Sequence, residues 1–146
     1  MKKSLLRIAL NHAEEHLFTH PQLSHFPHFS YIVMRNRIIS WATNTSKEPP
    51  IHFGYHRNWD GSYRPKLHAE LNAYHKANIH SSFEIINIRL SKSKELRLSK
   101  PCYACFKLLR THGCQRFWYS DLHGFEVLHC DDVYKSHLYS FACHSS

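Results

Sequence analysis

Two helix-forming stretches separated by a single strand-length run constrain this chain more than any other feature. The run is FEIINIRL, residues 83–90; LHAELNAYHKA (67–77) precedes it and SKPCYACFKLL (99–109) follows it. Helices flanking one strand in a βαβ-type layer bring their N-termini to the same end of the sheet. His68 opens the first helix, and Cys102 and Cys105 open the second. The layer therefore gathers three metal-ligating residues at one end of the sheet.

The flanking sequence extends this layer into a larger sheet. Leu5, Leu6, Ala9, Ala13 and Leu17 line one side of a helix over residues 3–18, with His12 and His16 beside the stripe. FSYIVM (29–34) and RIISWAT (37–43) read as strands joined at Arg35-Asn36 in a hairpin. A long polar connection, 44–66, carries most of the turn residues, and a segment of that length inside a small domain is usually functional. The second helix is expected to begin near Pro65 and to run through Ala77. The third has Ser99 as its expected N-cap, Pro101 in its first turn and Gly113 at its end. QRFWYS (115–120) and FEVLH (125–129) read as strands, and Asp131-Asp132 as the start of a last helix. The order α-β-β-α-β-α-β-β-α implies an α/β fold, a mixed sheet covered by helices.

Length and composition narrow the class. The 146 residues suit one domain spanning 1–146, and 42% hydrophobic residues with four glycines and six prolines exclude a disordered chain. The net charge of +8 favours anionic partners, either nucleotide phosphates or a polynucleotide backbone. Arg7 and Asn11-His12 break the apolar run at the start, so it does not read as a signal peptide, and no stretch approaches a membrane span. A cytoplasmic location is expected, where thiols stay reduced. An odd number of cysteines, five, then favours metal binding or catalysis over a disulfide framework.

Cys102 and Cys105 are three residues apart, so both sulfurs project from one face of a helix start, where the thiolate is favoured. Buried structural cysteines and a redox Cys-x-x-Cys pair are the alternatives for this pair alone. With His68 they make three ligands for Zn²⁺, and three ligands with one open position describe a catalytic rather than a structural zinc. Glu70, two residues past His68, stands near the metal without being a ligand. A carboxylate there can take a proton from the attacking water and pass it on. The first His-Ala-Glu, His12-Ala13-Glu14, lies mid-helix and lacks the neighbouring glutamate of H-E-x-x-H, so it reads as the polar edge of an amphipathic helix.

The pairing of His68-Ala69-Glu70 with Pro101-Cys102-x-x-Cys105 is the H-x-E…P-C-x-x-C signature of zinc deaminases. Nearly the whole chain resembles the cytidine deaminase-like superfamily. HAE, PCxxC and GCQRFWYSD look most like the branch holding deoxycytidylate deaminases, tRNA adenosine deaminases and the APOBEC/AID enzymes. The resemblance implies a three-layer α/β/α cytidine deaminase-like fold with a mixed five-stranded sheet. It implies hydrolytic loss of ammonia, with Glu70 as general acid–base, the Ala69 backbone N–H on the base and Asn44 on the sugar. Tyr119 and Asp121 would line the substrate pocket. Asn44 also reads as a strand-ending turn residue, and Trp118 and Tyr119 as core aromatics of which alternation points one inward.

A small cytosine nucleotide or nucleoside is the expected substrate, with Arg57, Arg64 and Lys66 as phosphate candidates. Single-stranded DNA or RNA is the alternative, drawing on the charge and on the interleaved basic and aromatic residues of 52–64, including Trp59 and Tyr63. Adenine in tRNA and a non-enzymatic zinc module are further alternatives; Glu70 speaks against the module, because a structural site has no use for a proton shuttle. Relatives are commonly homo-oligomers. The connection between Asn44 and His68 is longer than in the compact tRNA enzymes.

Overall fold

Burial along residues 83–90 assigns the two faces of the sheet. Phe83 and Ile85 pack into one cluster of core residues, and Ile86, Ile88 and Leu90 into another. A strand with apolar side chains on both faces is stable only with a layer of structure over each. The computed structural model describes residues 3–20, 27–44 and 68–130, and in it both layers are helical.

The elements run α1 (Lys3–Thr19), β1 (His28–Met34), β2 (Arg37–Thr43), α2 (Ala69–Ala77), β3 (Phe83–Leu90), β4 (Leu96–Arg97), α3 (Tyr103–Thr111), β5 (Cys114–Asp121) and β6 (Gly124–His129). The sheet has the order β2-β1-β3-β5-β6, with β4 pairing to β3 off that path. The β3–β5 pairing is parallel and the others are antiparallel, so the sheet is mixed. Helix α1 covers one face by placing Leu5, Ala9, Ala13 and Leu17, each four residues from the last, against Phe29, Tyr31, Val33 and Ile86. Helices α2 and α3 cover the other, where Leu71, Ala73, Phe106 and Leu109 meet Ile32, Ile85 and Phe117. The expected three-layer α/β/α arrangement is present, with five strands on the main path and the two-residue β4 as a sixth.

Local sequence explains the sharp turns. Arg35 and Asn36 have φ of 51° and 60°, the two left-handed residues of a type I′ hairpin turn, which matches the twist of the strands it joins. Gly113 follows α3 with φ of +109°, a region that side chains rarely enter, and ends the helix where expected. A Cβ on Gly113 would also lie 3.4 Å from the Ser81 carbonyl oxygen.

Several sequence readings shift. Helix α2 begins at Ala69; its expected start near Pro65, the connection 45–67 with Arg57, Trp59, Tyr63, Arg64 and Lys66, the last helix from Asp131 and Cys143 all lie outside the described residues. Strand β4 has no counterpart in the reading, because two residues leave no periodicity. The N-cap of α3 is Cys102, not Ser99, and Pro101 precedes the helix. Ser99 instead bonds Asn87 and Ser120. Among the described residues, no helix is long and apolar enough to cross a membrane.

Gly113→Ala is expected to destabilise the fold by about 1–3 kcal/mol through backbone strain, measured by chemical denaturation. Asn36→Gly, at a position that already turns through positive φ, should change stability by less than about 1 kcal/mol in the same assay.

Candidate metal centre

Parallel pairing of β3 and β5 requires a crossover, and α3 provides it. Helix α2 enters β3 from the same side, so the starts of α2 and α3 come together. His68 is the N-cap of α2 and Cys102 the N-cap of α3, both in extended backbone conformation. His68 Nδ1 lies 3.3 Å from Cys105 Sγ and 3.9 Å from Cys102 Sγ. His68 and Cys105 are buried, and Cys102 is half-buried. The ligand atoms of the three lie within 4.8 Å of one another, and the trio is the one such group of histidine, cysteine and acidic residues among the described residues.

The donor set fits a metal ion. Bond lengths of about 2.3 Å to sulfur and 2.0–2.1 Å to nitrogen in a tetrahedron put sulfur and nitrogen about 3.6 Å apart. The two observed separations bracket that spacing. The Cys105 backbone N–H donates to Cys102 Sγ at 3.4 Å, and a helix N-terminus favours the thiolate that a metal requires. His68, Cys102 and Cys105 can therefore hold a metal ion, with three protein ligands and a fourth position left for another.

A buried polar knot sets the approach to the cysteines. Ser99 N–H donates to the Ser120 carbonyl at 2.9 Å, and Ser120 N–H donates to Ser99 Oγ at 2.7 Å. Ser99 Oγ also donates to the Asn87 carbonyl at 2.8 Å, while Asn87 Nδ2 donates to the Ser99 carbonyl at 3.3 Å. Ser30 Oγ donates to Asn87 Oδ1 at 2.7 Å. All four residues are buried, and each hydrogen bond gains from the low dielectric around it. The knot joins β1, β3 and β5 to the segment that delivers Cys102. Sequence alone offers no sign of it, since an isolated serine before Lys-Pro reads most simply as a helix cap.

The other candidate residues gather at the same end of the sheet. Glu70, in the first turn of α2, is 1% exposed. Ala69 is buried at the helix start. Asn44 follows β2; its N–H donates to the His28 carbonyl at 3.3 Å, and its Oδ1 accepts from the His28 N–H at 3.4 Å. It thus does close the strand, as its turn reading expected. Tyr119 lies opposite Asn87 in the parallel ladder. Alternation from Phe117, in the core under α2 and α3, puts Tyr119 on that same face, whereas Trp118 packs toward α1. Asp121 ends β5, and its Oδ1 accepts from the His123 N–H at 2.7 Å across the hairpin turn.

One residue near Glu70 was not singled out in the sequence. His28 opens β1, and its Nε2 lies 4.0 Å from Glu70 Oε1 with both side chains buried. Burial first, then the Arg89 guanidinium and His68, pushes its imidazole down to about 3, so His28 is neutral at physiological pH. Burial also lowers Arg89, its ladder partner.

The first His-Ala-Glu lies on the opposite face of the sheet. His12 Nδ1 bonds the Tyr31 hydroxyl at 2.8 Å, and the His12 and His16 rings stand edge-on to Trp41 at 4.4 and 4.9 Å between centroids. Burial lowers the pKa of both. This is a half-buried aromatic cluster rather than a plain polar edge, and it is remote from the metal ligands.

The protein is expected to bind one equivalent of zinc, and Cys102→Ser, Cys105→Ser and His68→Ala should each lose it. Cys114→Ser and His12→Ala should retain it. Elemental analysis after gel filtration reads both sets.

No protein-family model matches the chain, and no curated protein matches it in sequence. Among solved structures the chain is similar to the crystal structure of dCMP deaminase from the cyanophage S-TIM5 in complex with dCMP and dUMP. The two are 22% identical, with a TM-score of 0.48, over 80% of this chain and 81% of that one. In its His-Ala-Glu and Pro-Cys-x-x-Cys motifs, and in the His/Cys/Cys cluster that they form, the chain resembles the zinc deaminases of the cytidine deaminase superfamily.

Proposed function

We propose that the protein is a zinc-dependent hydrolytic deaminase that converts cytosine to uracil in a small cytidine or deoxycytidine nucleotide or nucleoside, releasing ammonia. The observation that carries this reading is the convergence of His68 with Cys102 and Cys105 beside a buried carboxylate, Glu70, two residues along the same helix start. Two thiolates and one neutral imidazole suit Zn²⁺ and leave a position for water or substrate. Zinc held there supplies Lewis acidity, which brings the pKa of a water near neutrality.

The chain's own residues supply the rest. Glu70 accepts a proton from the attacking water and delivers it to the ring nitrogen as C4 becomes tetrahedral. It then carries the second proton to the departing amine, and the C4–N bond breaks to give the uracil carbonyl and ammonia. The closed surroundings of Glu70 exclude bulk water from these transfers. The first amides of a helix have no intrahelical acceptor, so the Ala69 N–H is the natural donor to the base. Asn44, its Oδ1 engaged by His28, offers its amide donors to the sugar, and Tyr119 and Asp121 form the wall at the end of β5.

These positions follow a general rule of α/β sheets. Ligands bind beyond the carboxyl ends of parallel strands, and the ends of β3 and β5, with the start of β1 and the end of β2, all lie there.

Glu70→Ala should keep the zinc and lose about 10²–10⁴-fold in turnover, while Glu14→Ala stays near wild type. The assay is ammonia release and mass spectrometry on cytidine, deoxycytidine, their monophosphates, a single-stranded oligonucleotide and tRNA. Equal loss in the two variants would identify the wrong His-Ala-Glu. With a nucleotide substrate, KM should change only mildly with salt. The +8 charge supports a polynucleotide as the second reading, for which binding should weaken steeply as salt rises.

A further inference from the structure

A carboxylate that must accept and return protons at a fixed point needs a defined orientation as well as a suitable basicity. Glu70 lies almost wholly out of solvent, where polar contacts from the protein set that orientation. His28 provides one such contact from the sheet, with Nε2 4.0 Å from Oε1. Its backbone is held on two sides. The N–H and C=O of His28 both bond Asn44, at 3.4 and 3.3 Å, and His28 pairs with Arg89 across the β1–β3 ladder. The imidazole thus springs from a fixed point at the junction of three strands.

We infer that His28 is the positioning residue of Glu70: its Nε2–H holds the carboxylate in one orientation through the proton-transfer cycle. The inference rests on the reading of Glu70 as general acid–base. At 4.0 Å the pair is within ion-pair range but beyond hydrogen-bond distance in this structure, so the bond belongs to the substrate-bound state. Catalytic hydrogen bonds are often long before substrate arrives and tighten in the complex. An imidazole N–H is suited to the task, since it offers a single donor on a rigid ring.

The test uses the zinc-loaded full chain with whichever cytosine substrate the wild type turns over. His28→Phe keeps a ring of similar shape and removes the donor. His28→Gln restores an N–H near the Nε2 position. His28→Phe is expected to lower kcat by about 10–100-fold. Its KM should stay within about twofold of wild type, because the loss falls on the chemical step. Zinc content and melting temperature should be unchanged, and a crystal structure should show Glu70 in more than one rotamer. His28→Gln is expected to recover most of kcat and the single rotamer. A purely structural role would instead lower the melting temperature and would not be rescued by glutamine. Wild-type kcat in His28→Phe, or equal impairment in the glutamine variant, would overturn the inference. Glu70→Gln separates the two readings: if it keeps full turnover, the general-base reading fails, whereas its inactivity beside a fully active His28→Phe removes only the role of His28. Should His28→Phe not fold, His28→Asn, too short to reach Oε1, replaces it with the same expected results.

Discussion

The parallel pairing of β3 with β5 is the constraint on which the rest depends. Two parallel neighbours cannot be joined by a tight turn, so the chain must leave the end of β3, cross over and return. The crossover is α3, and its first turn carries both cysteines. Helix α2 packs on the same face and begins at the same end, with His68 as its N-cap. Three candidate ligands, His68 distant in sequence from the two cysteines, are thereby placed within 4.8 Å by topology and packing rather than by a dedicated loop. The apolar residues under the two helices, among them Leu71, Phe106 and Leu109, are what hold the geometry.

Backbone direction alone leaves open how the segment entering α3 approaches the sheet. The polar knot of Ser30, Asn87, Ser99 and Ser120 does the finer work, because it ties the segment entering α3 to three strands at once. A network of this kind specifies one arrangement, since every member left unpaired would be buried at a cost of about 1–3 kcal/mol. The Cys102 sulfur completes the local order by accepting the Cys105 N–H, which serves as helix cap and favours the thiolate together. Structure and chemistry use the same bond.

Much of this was legible in the sequence, and the physical reason is periodicity. Leu5, Ala9, Ala13 and Leu17 repeat every four residues, and all four are buried in α1. The runs at 83–90 and 115–120 have strand length and bracket a helix, which is enough to require the layer that unites His68 with Cys102 and Cys105. Less visible were features that depend on one residue meeting another across the sheet. Ser99 looked like a cap because local sequence offers no view of Ser120, twenty-one residues on. His28 drew no notice because its significance lies in a contact with Glu70 on a different element. The two-residue β4 is defined only by its ladder bonds to Arg89 and Leu90. Asn44 was readable both as a strand end and as a sugar contact, and its bonds to His28 show the first while leaving its amide donors available to the second reading.

The central claim is that His68, Cys102 and Cys105 hold zinc with one position open to chemistry. X-ray absorption at the zinc edge of the zinc-loaded protein tests this most directly. The account predicts two sulfur scatterers at about 2.3 Å and two light scatterers near 2.0–2.1 Å, one of them imidazole nitrogen. Four sulfur ligands, or a shell with no sulfur, would contradict it.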